Sequence, residues 1–127
     1  MIITRIYATS DGTSHFQDVT VTLDDAGDIG RLSAAWPTGT LTFRETGGDY
    51  DFDWHHPPDR QLVILLDGAI EIEVADGETR RYAGGDVLLV EDLTGRGHRT
   101  RAVEPGVRRS LFVTVPEQAS LEYTPSE

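Results

Sequence analysis

The segment AIEIEVA, residues 69–75, limits the fold more than any other stretch of this chain. Ile70, Ile72 and Val74 alternate with Glu71 and Glu73. A period of two marks a strand with one face buried and the other in water. Asp67-Gly68 and Asp76-Gly77 bracket it. Both pairs tolerate the positive φ that tight hairpins need, so the strand is short and the chain reverses on each side. Gly84-Gly85 and Pro105-Gly106 mark two more turns. No long 3.6-residue amphipathic pattern interrupts this rhythm. Strands are expected at Ile2–Ala8, Asp18–Leu23, Leu41–Glu45, Gln61–Leu66, Ala69–Ala75, Glu78–Tyr82, Asp86–Glu91, His98–Val103 and Arg109–Val115. Residues 24–40 and 46–60 are rich in turn formers, and a short helix fits within 24–36. Many short strands with frequent turns predict an all-β antiparallel barrel or sandwich.

Composition narrows the chemistry. At 127 residues the chain suits a single domain with one core. It has no cysteine, which removes disulfides, thiolate nucleophiles and Cys-ligated zinc. It also has no lysine, since all 11 cationic residues are arginine, so no lysine Schiff base is available. The net charge of −11 repels nucleic-acid phosphates and anionic lipids, and neither is an expected partner. The opening MIITRIYATSDG lacks the pattern of a secretion signal, and a cytoplasmic protein is expected.

Candidate site residues cluster in the middle of the chain. His55 and His56 precede the strand that starts at Gln61, and His98 starts a later one. Residues on non-adjacent strands of a barrel converge on its lumen. Imidazole suits Zn, Fe, Ni, Cu or Mn, and a side-chain oxygen completes such a set. Adjacent residues on a regular strand point to opposite faces, so His55 and His56 ligate together only if the backbone there is irregular. Glu91 and Asp92 stand near the His98 loop, either as carboxylates that orient the histidine or as a solvated turn. Trp54, next to His55, and Arg60, a bidentate anion donor, are candidates for a substrate pocket. Arg99 and Arg101 fall on the face opposite His98 and are expected to point outward. Glu71 and Glu73 are expected to face solvent, and His15 has no functional part.

The stretch WHHPPDRQLVILLDG resembles the first motif of the cupin superfamily, which has two histidines, a Glu and then a Gly. Gln61 stands at the Glu position, and Gly68 follows at the family's distance. GGDVLLVEDLTGRGH resembles the second motif, with Gly85 and His98 at its two ends. The resemblance covers about residues 40–115. It implies a cupin-type antiparallel β-barrel, the double-stranded β-helix or jelly roll. It also implies one divalent transition metal (Zn, Fe, Ni or Mn) held by His55 or His56, Gln61 and His98. The chain departs from the pattern in three ways. Its two histidines are adjacent, a neutral Gln replaces the Glu, and Glu91 takes the family's proline position with His98 two residues late. Counted back from Gln61, His56 fits the second family histidine in one register and His55 the first in another.

The implied function is that of a metal-binding cupin acting on a small polar organic molecule. Isomerisation, dehydration, decarboxylation and dioxygenation all fit. The alternative is a metal-free or non-enzymatic module that binds a small ligand. Small barrels also pair through exposed strand edges, so a homodimer is expected.

Overall fold

The computed structural model describes residues 1–126. Thirteen strands run in chain order. They are β1 (Ile2–Ala8), β2 (Ser14–Thr20), β3 (Asp24–Asp25), β4 (Arg31–Leu32), β5 (Leu41–Thr46), β6 (Asp51–His55), β7 (Gln61–Leu65), β8 (Ala69–Glu73), β9 (Thr79–Ala83), β10 (Val87–Val90), β11 (His98–Ala102), β12 (Arg108–Thr114) and β13 (Thr124–Pro125).

One sheet has the order β13-β2-β1-β10-β7-β12-β5 and a second has β6-β11-β8-β9. The last eight full strands, β5 to β12, divide four and four between them. In chain order they alternate sheets except at the β8–β9 hairpin. This is the double-sheet jelly roll on which cupins are built. The fold class expected from the short strands and from the two motifs is therefore the one the chain adopts. β1 extends the larger sheet by pairing parallel to β10, and β2 and β13 follow it.

The core follows from strand parity. Ile70, Ile72, Leu65, Leu88 and Val90 point between the two sheets and join Ile6, Phe16, Val74 and Tyr82. The apolar run Val87–Val90 has no polar alternation because Leu89, on its other face, joins a second cluster with Ile3, Val19 and Val21. Trp36, Leu121 and Tyr123 pack over that cluster from outside the sheet. Glu71 lies on the outer face of β8, between Arg81 and Arg101. Arg99 pairs there with Asp51. Arg99 and Arg101 thus point outward, as parity requires.

Three local expectations differ from the structure. The second strand lies at Ser14–Thr20 rather than Asp18–Leu23, so it begins earlier and ends before Val21. In the 24–36 segment the only helical turn among the described residues is a 3-10 turn at Gly27–Ile29. It has no side-chain cap and lies between Gly27 and Gly30, both at positive φ. Residues 51–55, inside a stretch rich in turn formers, form a full strand, β6. Its aspartates are tolerated because the strand is at the edge of its sheet and partly exposed. Among the described residues, no helix is long and apolar enough to cross a membrane.

Candidate functional site

A cavity of about 330 Å³ opens between the two sheets. Four barrel strands send alternate residues into it: Gln61, Val63 and Leu65 from β7, Ile70 and Ile72 from β8, His98 and Thr100 from β11, Arg108, Ser110 and Phe112 from β12. The walls are mostly apolar and the polar groups sit towards the two ends. His98 lies at the end of β11 away from the β7–β8 turn, and Gln61 at the matching end of β7. Arg108 lies at the opposite end, beside Gly68 of that turn.

The β6–β11 register decides which histidine enters. His98 opposes His55 and Thr100 opposes Phe52, so three steps on β6 match two on β11. The extra residue is a β-bulge, which shifts side-chain parity at that point. Phe52 and His55 therefore both line the cavity although three positions separate them. Their rings meet edge to face at 4.2 Å. His55 and His98 are neighbours, with ring centroids 4.8 Å apart. His56 is exposed, does not line the cavity, and its Nδ1 lies 3.3 Å from the Pro57 carbonyl.

Each cavity histidine has one ring nitrogen committed. His98 Nδ1 lies 2.7 Å from Asp92 Oδ2, and His55 Nδ1 lies 2.8 Å from the Asp53 carbonyl oxygen. A carbonyl only accepts, so His55 Nδ1 carries the proton and Nε2 holds the free lone pair. The Asp92 carboxylate imposes the same tautomer on a neutral His98. Asp92 is fully buried and accepts a second bond from the equally buried Ser14 hydroxyl at 2.7 Å. Its Oδ1 has no partner within the protein. Burial draws the His55 pKa below its usual value, against the opposing hydrogen bond to Asp53. His55 is thus neutral near pH 7.

Gly97 holds this end together. It has φ +79°, and a Cβ there would lie 1.7 Å from the His55 carbonyl oxygen. No other residue lets the loop before His98 press so closely on β6.

At the other end Arg108 is 6% exposed, and its Nε and Nη1 have no hydrogen-bond partner within the protein. Its guanidinium lies 5.3 Å from the Tyr50 ring centroid, with Arg44 4.8 Å from the same ring. Burial, and then the charge of Arg44, lower the Arg108 pKa.

The two pocket residues expected beside the histidines stand elsewhere. Trp54 does not line the cavity and stacks under Arg96 at 4.2 Å, because the bulge turns it out. Arg60 is tied to Glu91 at 2.6 Å and to the carbonyls of Pro116 and Ala119, outside the barrel. Glu91 also pairs with Arg5 there, so of the two acids before the His98 loop only Asp92 reaches the histidine. Ser14 carried no sequence signal, since it comes from a strand far from both motifs. Arg44 and Arg108 became visible only through parity on β5 and β12.

With Nδ1 of each ring committed, the nitrogens left at the histidine end are Nε2 of His55 and of His98, and Gln61 lines the same cavity. Among the described residues no group of three or more His, Cys, Asp or Glu side chains is placed to hold a metal. Two imidazoles and an amide oxygen are donor types that suit a divalent transition metal, and Asp92 stands behind His98 as a carboxylate.

Fold and cavity together define the class: a double-sheet jelly roll with a histidine-lined lumen. No family model matches the chain. An uncharacterised protein of Bacillus subtilis (strain 168), YdbB, is 42% identical over 53 residues. That match spans 41% of this chain and 45% of the relative, less than half of either. A conserved protein of unknown function from Streptococcus pyogenes is 25% identical, with 76% of this chain and 73% of that one covered and a TM-score of 0.47. The polyketide cyclase RemF from Streptomyces resistomycificus is 15% identical over 95% of this chain and 75% of its own, with a TM-score of 0.48.

Proposed function

We propose that this is a small cupin-like protein that takes a small polar organic molecule into its barrel, with one divalent transition metal held by His55, His98 and Gln61. The observation that carries the reading is the paired tautomer. Two adjacent imidazoles each have Nδ1 bound to a fixed acceptor, leaving Nε2 as the donor. Metal-binding histidines are oriented in this way by a carboxylate or carbonyl behind the ring. Zn, Fe, Ni and Mn are the metals that suit such a set. Bound there, a metal would polarise a carbonyl or activate a water or dioxygen. The protein's own part is to fix the rings through Asp92 and Asp53 and to exclude water with Val63, Leu65, Ile72 and Phe112. Isomerisation, dehydration, decarboxylation and dioxygenation are all within reach of such a site.

A second reading is supported by the donor set itself, which lacks a third imidazole or any carboxylate. In that reading the cavity is metal-free, and His98, backed by Asp92, meets the ligand directly. Calorimetric titration of chelator-treated protein with Zn²⁺, Ni²⁺, Mn²⁺ and anaerobic Fe²⁺ separates the two. The lead reading expects one equivalent of at least one metal to bind, and that binding to vanish in His98→Ala. Absence of stoichiometric binding for all four would leave the metal-free account.

A further inference from the structure

The chain carries 22 acidic and 11 basic residues, so most cations should find an acid. Among the described residues seven arginines do: Arg5, Arg60, Arg80, Arg81, Arg99, Arg101 and Arg109. Among the described residues four form no such pair: Arg31 and Arg96 are exposed and outside the cavity, whereas Arg44 and Arg108 are near neighbours on one cavity wall. Arg108 is almost wholly buried with Nε and Nη1 unmatched. Its register partner across β5 and β12 is Thr46, which is 8% exposed and whose hydroxyl is also unmatched. Directly paired residues project from the same face of a sheet, so the orphaned donors share one place. Buried polar groups are ordinarily satisfied, and a buried cation far more so. Gly68 explains how the side chain is held: a Cβ there would lie 2.9 Å from Arg108 Cγ, so the glycine leaves room for the arginine stem.

We infer that Arg108, assisted by Arg44, is the seat for a carboxylate group of the molecule that enters the barrel. The inference rests on the proposed small-molecule cavity but not on a metal in it. A planar carboxylate matches the guanidinium fork with two parallel N–H···O bonds. Tyr50 covers the guanidinium face, so the ligand meets the N–H edge. Apolar Leu65, Ile70 and Phe112 follow towards the histidines, which favours a carboxylate on an apolar body over a free phosphate. The carboxylate would fix one end of the ligand and present the other to His55 and His98.

Phenylacetate, its neutral amide phenylacetamide, and inorganic phosphate are the probes, titrated calorimetrically near neutral pH and at low salt. Phenylacetate is expected to bind about tenfold or more tightly than the amide, the range of a charge-assisted pair. Arg108→Met should abolish that preference and leave metal titration unchanged. It should also keep or raise the unfolding midpoint, because it removes an unmatched buried charge. Equal binding of acid and amide, no phenylacetate binding at millimolar concentration, or phosphate binding more tightly than phenylacetate would overturn the inference. A large stability loss in Arg108→Met would also overturn it, by showing that the arginine serves the fold. Loss of metal binding in the wild type alone would refute the metal reading and leave this one standing.

Discussion

Asp92 accepts hydrogen bonds from His98 and from Ser14 on the same oxygen, and all three side chains are buried. Removing the acceptor should therefore cost more than removing either donor. Asp92→Ala leaves two buried donors without partners, at about 1–3 kcal/mol each, or about 2–6 kcal/mol together. Ser14→Ala removes one donor and leaves the His98 bond intact, for about 1 kcal/mol. In the double variant only His98 is orphaned, so its loss should be about 2–4 kcal/mol smaller than the sum of the single losses. Urea unfolding followed by the fluorescence of Trp36 and Trp54 measures all four members of the cycle. Additivity within about 0.5 kcal/mol would refute the shared-acceptor account. So would an Asp92→Ala variant as stable as the wild type. In the same cycle, metal affinity should fall about 10–100-fold in Asp92→Asn, which keeps the shape but not the charge behind His98.

Gly97→Ala should destabilise by about 2 kcal/mol or more in urea, because it forces a side chain into a left-handed position against the His55 carbonyl; a neutral outcome would mean that the loop stands off β6. His55→Ala should abolish metal uptake while His56→Ala leaves it within about twofold, a change below 0.5 kcal/mol; the reverse order would place the bulge elsewhere. Asp67 accepts the Arg109 backbone N–H at 2.6 Å and its Nε at 2.7 Å, and these bonds hold its pKa below the ordinary 3.8. A depressed acid contributes stability above its unfolded pKa and loses it as pH falls through the folded value. The urea midpoint of the wild type should therefore drop more steeply below about pH 4 than that of Asp67→Asn; parallel curves would contradict the turn's role.

Where a strand has one buried face, its sequence states its placement. β8, with isoleucines alternating against glutamates, and β7 and β11, opening at Gln61 and His98, lie where parity and turn residues predict. β6 was hidden because the short alternation of Asp51, Phe52, Asp53 and Trp54 stands among the turn formers of residues 46–60, and because a bulge breaks the period. The same bulge is why spacing alone left His55 and His56 equivalent. Trp54 and Arg60 looked like pocket residues because they flank the histidines in sequence, whereas pocket membership follows the face of the strand. Arg108, adjacent to Arg109 in sequence, differs from it only by one step of the pleat: Arg109 points out to Asp67 and Arg108 points in. Asp92 belongs to the same lesson. It reads as a turn residue, and only the closed barrel brings Ser14 across to it.

Anomalous diffraction from crystals grown with Ni²⁺ addresses the site itself. A peak inside the barrel, about 2.0–2.2 Å from Nε2 of both His55 and His98, is the expected result for imidazole ligation. A peak on His56 or His15 with the lumen empty, or imidazoles of residues 55 and 98 turned away from each other, would contradict it.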